Sequence, residues 1–313
     1  MRGLWLDGSG ARLRRDLPEP EPTEGEVLVE VELAGVCATD LALGRGYMGF
    51  SGVPGHEFVG RALSGSLRGQ RVVGEINAGC GSCELCQSGD PRHCPQRSVL
   101  GILGRPGAFA ERLSLPEANL LPVPEGVSPE AAVFMEPLAA ACALLESVGE
   151  VRGVPALVLG DGRLGLLCAL VLQEAGAEVQ VLGRHPDRAA RLGGRLAWVE
   201  EPEPRAFPLV VEATGAPDGP ARALEWVAPG GTLALKTTVE VPGELDLARI
   251  VVDEIRLQGS RCGRFEDALP LLESGRIDPR PLIDGEYPLA EGVAALAHAG
   301  QRGTLKVLIR NAP

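Results

Sequence analysis

The chain has 313 residues, 45% of them hydrophobic and 23% charged, and a formal net charge of −12. That length leaves room for two domains with cores of their own, and the acidic excess argues against a nucleic-acid phosphate backbone as partner. No run of about 18 apolar residues is present, so no membrane span is expected; Met1 to Gly10 lacks the basic-then-apolar pattern of a signal peptide, so a cytoplasmic location is the default expectation.

Residues 1 to about 146 read as mainly β. Val27, Val29, Val31 and Leu33 alternate with Leu28, Glu30 and Glu32, the period of a half-buried strand, and Pro and Gly recur as turn signals every few residues. Cys37 follows this strand in the run Gly35-Val36-Cys37-Ala38-Thr39-Asp40, and Gly55-His56-Glu57 comes after a glycine-rich loop. Gln70 to Ile76 is the next strand candidate. Then four of the eight cysteines crowd together: Cys80, Cys83, Cys86 and Cys94, spaced C-x2-C-x2-C-x7-C. In a reducing compartment such a cluster reads as metal ligands. Thiolates two residues apart on turns relaxed by Gly79, Gly81 and Gly89 supply the four soft donors of tetrahedral zinc, and a shell closed by protein makes that site structural. Ala108 to Leu115 is a further strand candidate, and Glu136 lies in Met135-Glu136-Pro137-Leu138. A thiolate, an imidazole and a carboxylate from Cys37, His56 and Glu136, with one position left for water, make a catalytic zinc site, though each residue alone is weak evidence. Tyr47, Met48, Phe50 and Phe109 are candidates for an apolar pocket, against the plainer reading of core and loop packing.

The composition changes near Val151. Pro155 to Leu159 is a continuous apolar run, followed by Gly160-Asp161-Gly162-Arg163-Leu164-Gly165 and a breaker-free stretch, Leu164 to Ala175, that predicts a helix. This is G-x-G-x-x-G between a strand and a helix: the first glycine turns, the second admits a pyrophosphate, and the third lets helix and strand pack. Val179 to Leu182, Leu209 to Ala213 and Thr232 to Lys236 read as strands; Pro186 to Leu192 and Gly219 to Val227 read as helices. Strands alternating with helices imply a parallel, doubly wound sheet and an α/β fold class. The second strand ends in Leu182-Gly183-Arg184-His185, without the acid that would bind a ribose 2′-hydroxyl. Glycine leaves room for a 2′-phosphate and arginine can grip it, so NADP is expected over NAD. Phe265 to Ser274 and Ala290 to Ala299 close the chain as helix candidates before a last strand, Thr304 to Ile309.

These residues resemble the zinc-containing medium-chain dehydrogenase/reductase family, which includes alcohol, sorbitol, threonine and glucose dehydrogenases. The resemblance runs through G-V-C-A-T-D (35–40), G-H-E (55–57), the four-cysteine lobe, G-A-F-A-E (107–111), M-E-P-L (135–138), the G-x-G-x-x-G turn, E-A-T-G (212–215) and G-T-L-K-V (303–307). It implies a GroES-like, mainly-β catalytic domain over residues 1–146 and 264–313, interrupted by a Rossmann domain over 147–263, with the active site in the cleft between them. It also implies a catalytic zinc on Cys37 and His56, with Glu57 or Glu136 as the carboxylate, in addition to the structural zinc, hence two per chain. Thr39 matches a hydroxyl that passes the substrate proton, and Asp40 would orient His56. Thr214 and Gly215 would line the cofactor, and Lys306 matches a basic residue near its pyrophosphate. The activity implied is hydride transfer between an alcohol (polyol, sugar or simple alcohol) and NADP or NAD, in a homodimer or homotetramer; the alternative is a non-catalytic nucleotide-binding or regulatory relative of the same fold. Two departures stand out: Ala42 takes the place of a relay histidine, and the stretches 43–53 and 200–207 are short.

Overall fold

The alternation between Val27 and Leu33 produces a long strand, Glu26–Gly35, in which Val27, Val29, Val31 and Leu33 are buried and Glu30 is exposed. In this computed structural model, which describes residues 1–238 and 243–311, that strand is the axis of the first of two compact units, Met1–Glu136 with Ile283–Pro313. Its first half pairs antiparallel with Arg112–Pro116, its second half with Glu57–Ala62, and its end with Lys306–Arg310. Across the sheet the order is Leu120–Pro122, Arg71–Gly74, Glu57–Ala62, Glu26–Gly35, Lys306–Arg310, Ile283–Pro288. Two expected strands differ in extent: Gln70 to Ile76 contracts to Arg71–Gly74, and Ala108 to Leu115 starts later. Residues 107–109 are spent on the loop at 53–55, where Ala108 N–H donates to Gly55 O at 2.8 Å and Phe109 N–H to Pro54 O at 3.0 Å, so the strand begins at Arg112. A hairpin of Gly3–Asp7 and Gly10–Arg14 and a short helix, Ala38–Gly44, were not legible as periodic patterns.

The second unit, Pro137–Leu282, holds six parallel strands in the order Ala197–Trp198, Glu178–Leu182, Pro155–Leu159, Phe207–Glu212, Val227–Leu235, Arg256–Gly259. This is the doubly wound 3-2-1-4-5-6 order, whose strand order reverses beside Pro155–Leu159. Leu157, Val210 and Leu233 are fully buried at its centre, and the Arg163–Glu174 helix buries Leu166 to Leu172 against it. The Met135–Val148 helix and the Phe265–Glu273 helix also pack in this unit: Lys236 Nζ donates to Ala140 O at 2.6 Å, and a side chain at Gly263 would run into Ala139. By its internal contacts this unit includes residues 137–146 and 264–282. No helix among the described residues is long and apolar enough to cross a membrane.

Leu157 shows the cost of the central packing. Leu157→Ala removes a fully buried side chain between flanking strands, so we expect a loss of about 2–5 kcal/mol, read by urea unfolding of the full chain.

Candidate functional site

Cys37 ends the Glu26–Gly35 strand's extension and caps the Ala38–Gly44 helix. Asp40, three residues on and 1% exposed, turns back in a capping box: its Oδ2 accepts from Cys37 N–H at 2.8 Å. Its Oδ1 accepts from Gly55 N–H at 3.1 Å and lies 3.3 Å from His56 Nδ1, within ion-pair range but off the angle of a hydrogen bond. One carboxylate thus fastens two segments that sequence separates by some twenty residues. Gly55 has φ +97°, and a Cβ there would press on the buried Phe109 ring at 2.5 Å, so this turn needs glycine.

The result is a cluster of half-buried Cys37 and buried His56 and Glu57, in which one ligand atom of each lies within 4.8 Å of the others. Burial alone would push the His56 pKa down, but Asp40 and Cys37 beside it outweigh burial and hold it well above the ordinary histidine range. Surroundings that favour a proton on imidazole equally favour a metal cation, and thiolate, imidazole and carboxylate are zinc's donors. The Cys37 thiol donates to Thr39 Oγ1 at 3.9 Å, which brings the expected hydroxyl to the cluster.

Two expected residues stand elsewhere. Glu136, half-buried in the first turn of the Met135–Val148 helix, lies outside the cluster; the carboxylate gathered with Cys37 and His56 is Glu57. Lys306 is fully buried, so no surface of it is open to a pyrophosphate. Its ammonium pairs with Glu57 Oε2, with Val36 O at 3.5 Å and the Phe134 ring centre at 5.4 Å. Gly35 makes room for this pair, since a Cβ there would sit 2.5 Å from Glu57 Oε2. Nothing in the run Gly303 to Val307 signals that its lysine points inward; a lone lysine in a hydrophobic strand is the hint available. Of the aromatic pocket candidates, Phe50 lines an apolar cavity of about 410 Å³ with Met1, Trp5 and Leu17, Phe109 is core, and Tyr47 and Met48 are exposed.

The second cluster is the cysteine lobe: Cys80, Cys83, Cys86 and Cys94 place their sulfurs within 4.8 Å of one another. No disulfide joins them; Cys83 and Cys86 Sγ are 3.5 Å apart, near the roughly 3.8 Å edge of a tetrahedron with metal–sulfur bonds of about 2.3 Å. Gly81 and Gly89 adopt φ of +74° and +84°, and a side chain at Gly79 would strike Cys86 Sγ. The Ser82 hydroxyl and the Ser82 and Cys83 backbone N–H groups lower the Cys80 thiol pKa to about 6, which favours the thiolate.

In the second unit the glycines of the Gly-rich turn behave as their spacing foretold. Gly160 has φ +114° and faces Ala213 O, Gly162 leaves open space, and Gly165 abuts Gly160 O. Arg163 and Leu164 begin the helix. Across the sheet, buried Glu212 accepts from Thr214 N–H at 2.8 Å and Thr214 hydroxyl at 2.6 Å, shaping the turn to Gly215, whose N–H donates to Thr237 Oγ1 at 2.9 Å. Arg184 is exposed and makes no ion pair among the described residues. The space at Gly183, expected to admit a ligand, is filled from within the protein: a Cβ there would collide with Asp161, with its Cγ at 2.6 Å, and approach Trp198 at 2.7 Å. Asp161 was not singled out in the sequence because it stands inside the glycine turn and not at the strand end. His185, half-exposed, is bonded to it.

Residues 23–125 match the family model "Alcohol dehydrogenase GroES-like domain". The chain is 32% identical to the L-threonine 3-dehydrogenase of Streptomyces avermitilis, over 98% of this chain and 96% of that protein. Its fold is similar to an E. coli CFT073 alcohol dehydrogenase complexed with NADH (TM-score 0.90, 25% identity, 99% of both chains). It is also similar to a Sinorhizobium meliloti 1021 protein described as a zinc-binding dehydrogenase and bound to NADP (TM-score 0.86, 26% identity, 99% and 98% of the chains).

Lys306→Met would leave the Glu57 carboxylate buried without its cation. We expect a loss of about 3–5 kcal/mol in chemical denaturation, with part of it restored by adding Glu57→Gln.

Proposed function

Because the chain belongs to the zinc-containing medium-chain dehydrogenase/reductase family, we propose that its Cys37, His56 and Glu57 hold a catalytic zinc at which an alcohol exchanges a hydride with a nicotinamide cofactor. The chain is an oxidoreductase of CH–OH donors; the metal dependence, the site roles and the cofactor choice are our reading. The observation that carries it is the convergence of half-buried Cys37 with buried His56 and Glu57 on one point, held by Asp40.

When bound, the zinc supplies a Lewis acid and the nicotinamide a hydride acceptor. The chain's own residues do the rest. Cys37, His56 and Glu57 hold the metal's place and leave one position for the substrate oxygen. Asp40 fixes the orientation of His56. The Thr39 hydroxyl, next to Cys37, takes the proton of the substrate hydroxyl and hands it outward; Ala42 offers no further relay group, so water receives it. Cys80, Cys83, Cys86 and Cys94 hold a second zinc with a closed shell and a structural role. Gly160, Gly162, Arg163, Leu164 and Gly165 cradle the pyrophosphate at the N-terminus of the Arg163–Glu174 helix, with Thr214 and Gly215 shaping the nearby turn. The substrate is a small alcohol or its carbonyl product, and the working unit is a homodimer or homotetramer.

The expected metal content is about two zinc ions per chain, measured by elemental analysis of the purified protein. Cys37→Ser should lose one zinc and all turnover while the fold holds; Cys83→Ser should lose the other and lower the melting temperature. One zinc or none in fully active protein overturns the catalytic-zinc reading. Thr39→Val should lower turnover by about two orders of magnitude with cofactor affinity kept.

The support for NADP over NAD is exposed Arg184 beside a strand end whose own residue, Gly183, carries no acid. A charge-assisted contact of this kind corresponds to a preference of about ten- to a hundredfold in kcat/KM. Arg184→Ala should remove most of it through the NADP term and leave NAD nearly unchanged in steady-state kinetics. A parent enzyme that favours NAD tenfold refutes this choice.

A further inference from the structure

The acid absent from the strand end is present beside it, delivered from another segment. Asp161 lies within the glycine-rich turn after Pro155–Leu159, and its side chain fills the space that a residue larger than glycine at position 183 would take. It is 7% exposed. Its Oδ2 accepts from His185 N–H at 2.7 Å and from His185 Nδ1 at 2.9 Å; a carboxylate does not donate, so Nδ1 carries that proton. Arg188, itself buried, brings Nη1 to 2.5 Å from Asp161 O and 3.3 Å from Asp161 Oδ1. The turn expected to meet the pyrophosphate is therefore clamped to the turn expected to meet the ribose.

This arrangement decides what the acid does. A strand-end carboxylate that binds a ribose diol needs a free acceptor facing solvent. Asp161 has neither: both of its oxygens face donors of His185 and Arg188, and nearly all of its surface is covered. Its negative charge is balanced by Arg188, which leaves the charge of exposed Arg184 uncompensated. The bonds grip residues 185 and 188, on the C-terminal side of Arg184, while the helix that would receive the cofactor's 5′-phosphates is shaped by Gly160, Gly162 and Gly165.

Building on the dinucleotide-site reading, we propose that Asp161 is a positioning residue for cofactor choice: it holds the Gly183–His185 segment so that Arg184 meets a ribose 2′-phosphate. Gly183 is glycine to make room for Asp161, and the clamp acts on the phosphorylated ribose more than on the rest of the cofactor.

The test uses the full-length protein and two probes, 2′,5′-ADP and 5′-AMP, titrated by calorimetry, alongside KM and kcat with NADP and NAD. Asp161→Ala should weaken 2′,5′-ADP about tenfold and 5′-AMP by less than about threefold. KM for NADP should rise in parallel, with kcat within about twofold. Asp161→Asn, which keeps the shape and one acceptor, should fall between the parent and the alanine variant, and it serves as the test if the alanine variant does not fold. Equal weakening of both probes shows a merely structural residue and overturns the proposal. Tighter 2′,5′-ADP binding in either variant overturns it too, since Asp161 would then repel the phosphate. Failure of the reading beneath it looks different: the parent protein then binds neither probe, or binds 5′-AMP as tightly as 2′,5′-ADP.

Discussion

The buried ion pair between Glu57 and Lys306 constrains the whole first unit. Glu57 opens the strand that pairs with Glu26–Gly35, and Lys306 opens the strand that arrives after the chain has completed the second unit. Each charge is costly away from water without the other, so the two ends of the unit are stable only together. The register carries the same message: Leu308 lies opposite Gly35, which in turn faces Glu57. A glycine at that crossing is required because the carboxylate occupies the space of its side chain. A split domain gains from such a pair something that apolar packing alone does not give, since a lysine in the wrong register would be buried without a partner.

The same carboxylate that receives Lys306 is a donor in the Cys37–His56–Glu57 cluster. Closing the sheet and assembling the cluster are therefore one event. Asp40 adds the second tie, from the cap of the Ala38–Gly44 helix to the Gly55 turn. Its two carboxylate oxygens each accept from a backbone N–H, one of Cys37 and one of Gly55, so His56 is presented by segments tied to one another and not by a free loop.

What the sequence made legible follows from how local each signal is. The strand Pro155–Leu159 was readable because a parallel strand buried on both faces is a continuous apolar run and its turn is rich in glycine. The cysteine lobe was readable because all four donors fall within fifteen residues. The Met135–Val148 helix was not, since its buried face has no polar counterpart to give it a period. The choice of Glu57 over Glu136 in the cluster, the inward turn of Lys306 and the seat of Asp161 under Gly183 all depend on contacts between residues far apart in the chain or on opposite sides of a turn. Residue type and spacing announce which donors exist, and tertiary contacts decide which of them meet.

Charge distinguishes the two donor clusters more firmly than geometry does. Four thiolates around a divalent cation leave a formal excess of two negative charges, spread over soft sulfur, and such a cation is a poor Lewis acid. In the other cluster the formal negative charges are those of Cys37, Glu57 and Asp40, and Lys306 opposes one of them. A divalent cation would bring that pocket to formal neutrality. Its electrophilicity would then be met by whatever oxygen takes the open position, in a setting where burial strengthens each interaction. Lys306 thus bears on the cluster's charge from behind it: by offsetting one carboxylate it limits the negative charge that a cation held there would meet.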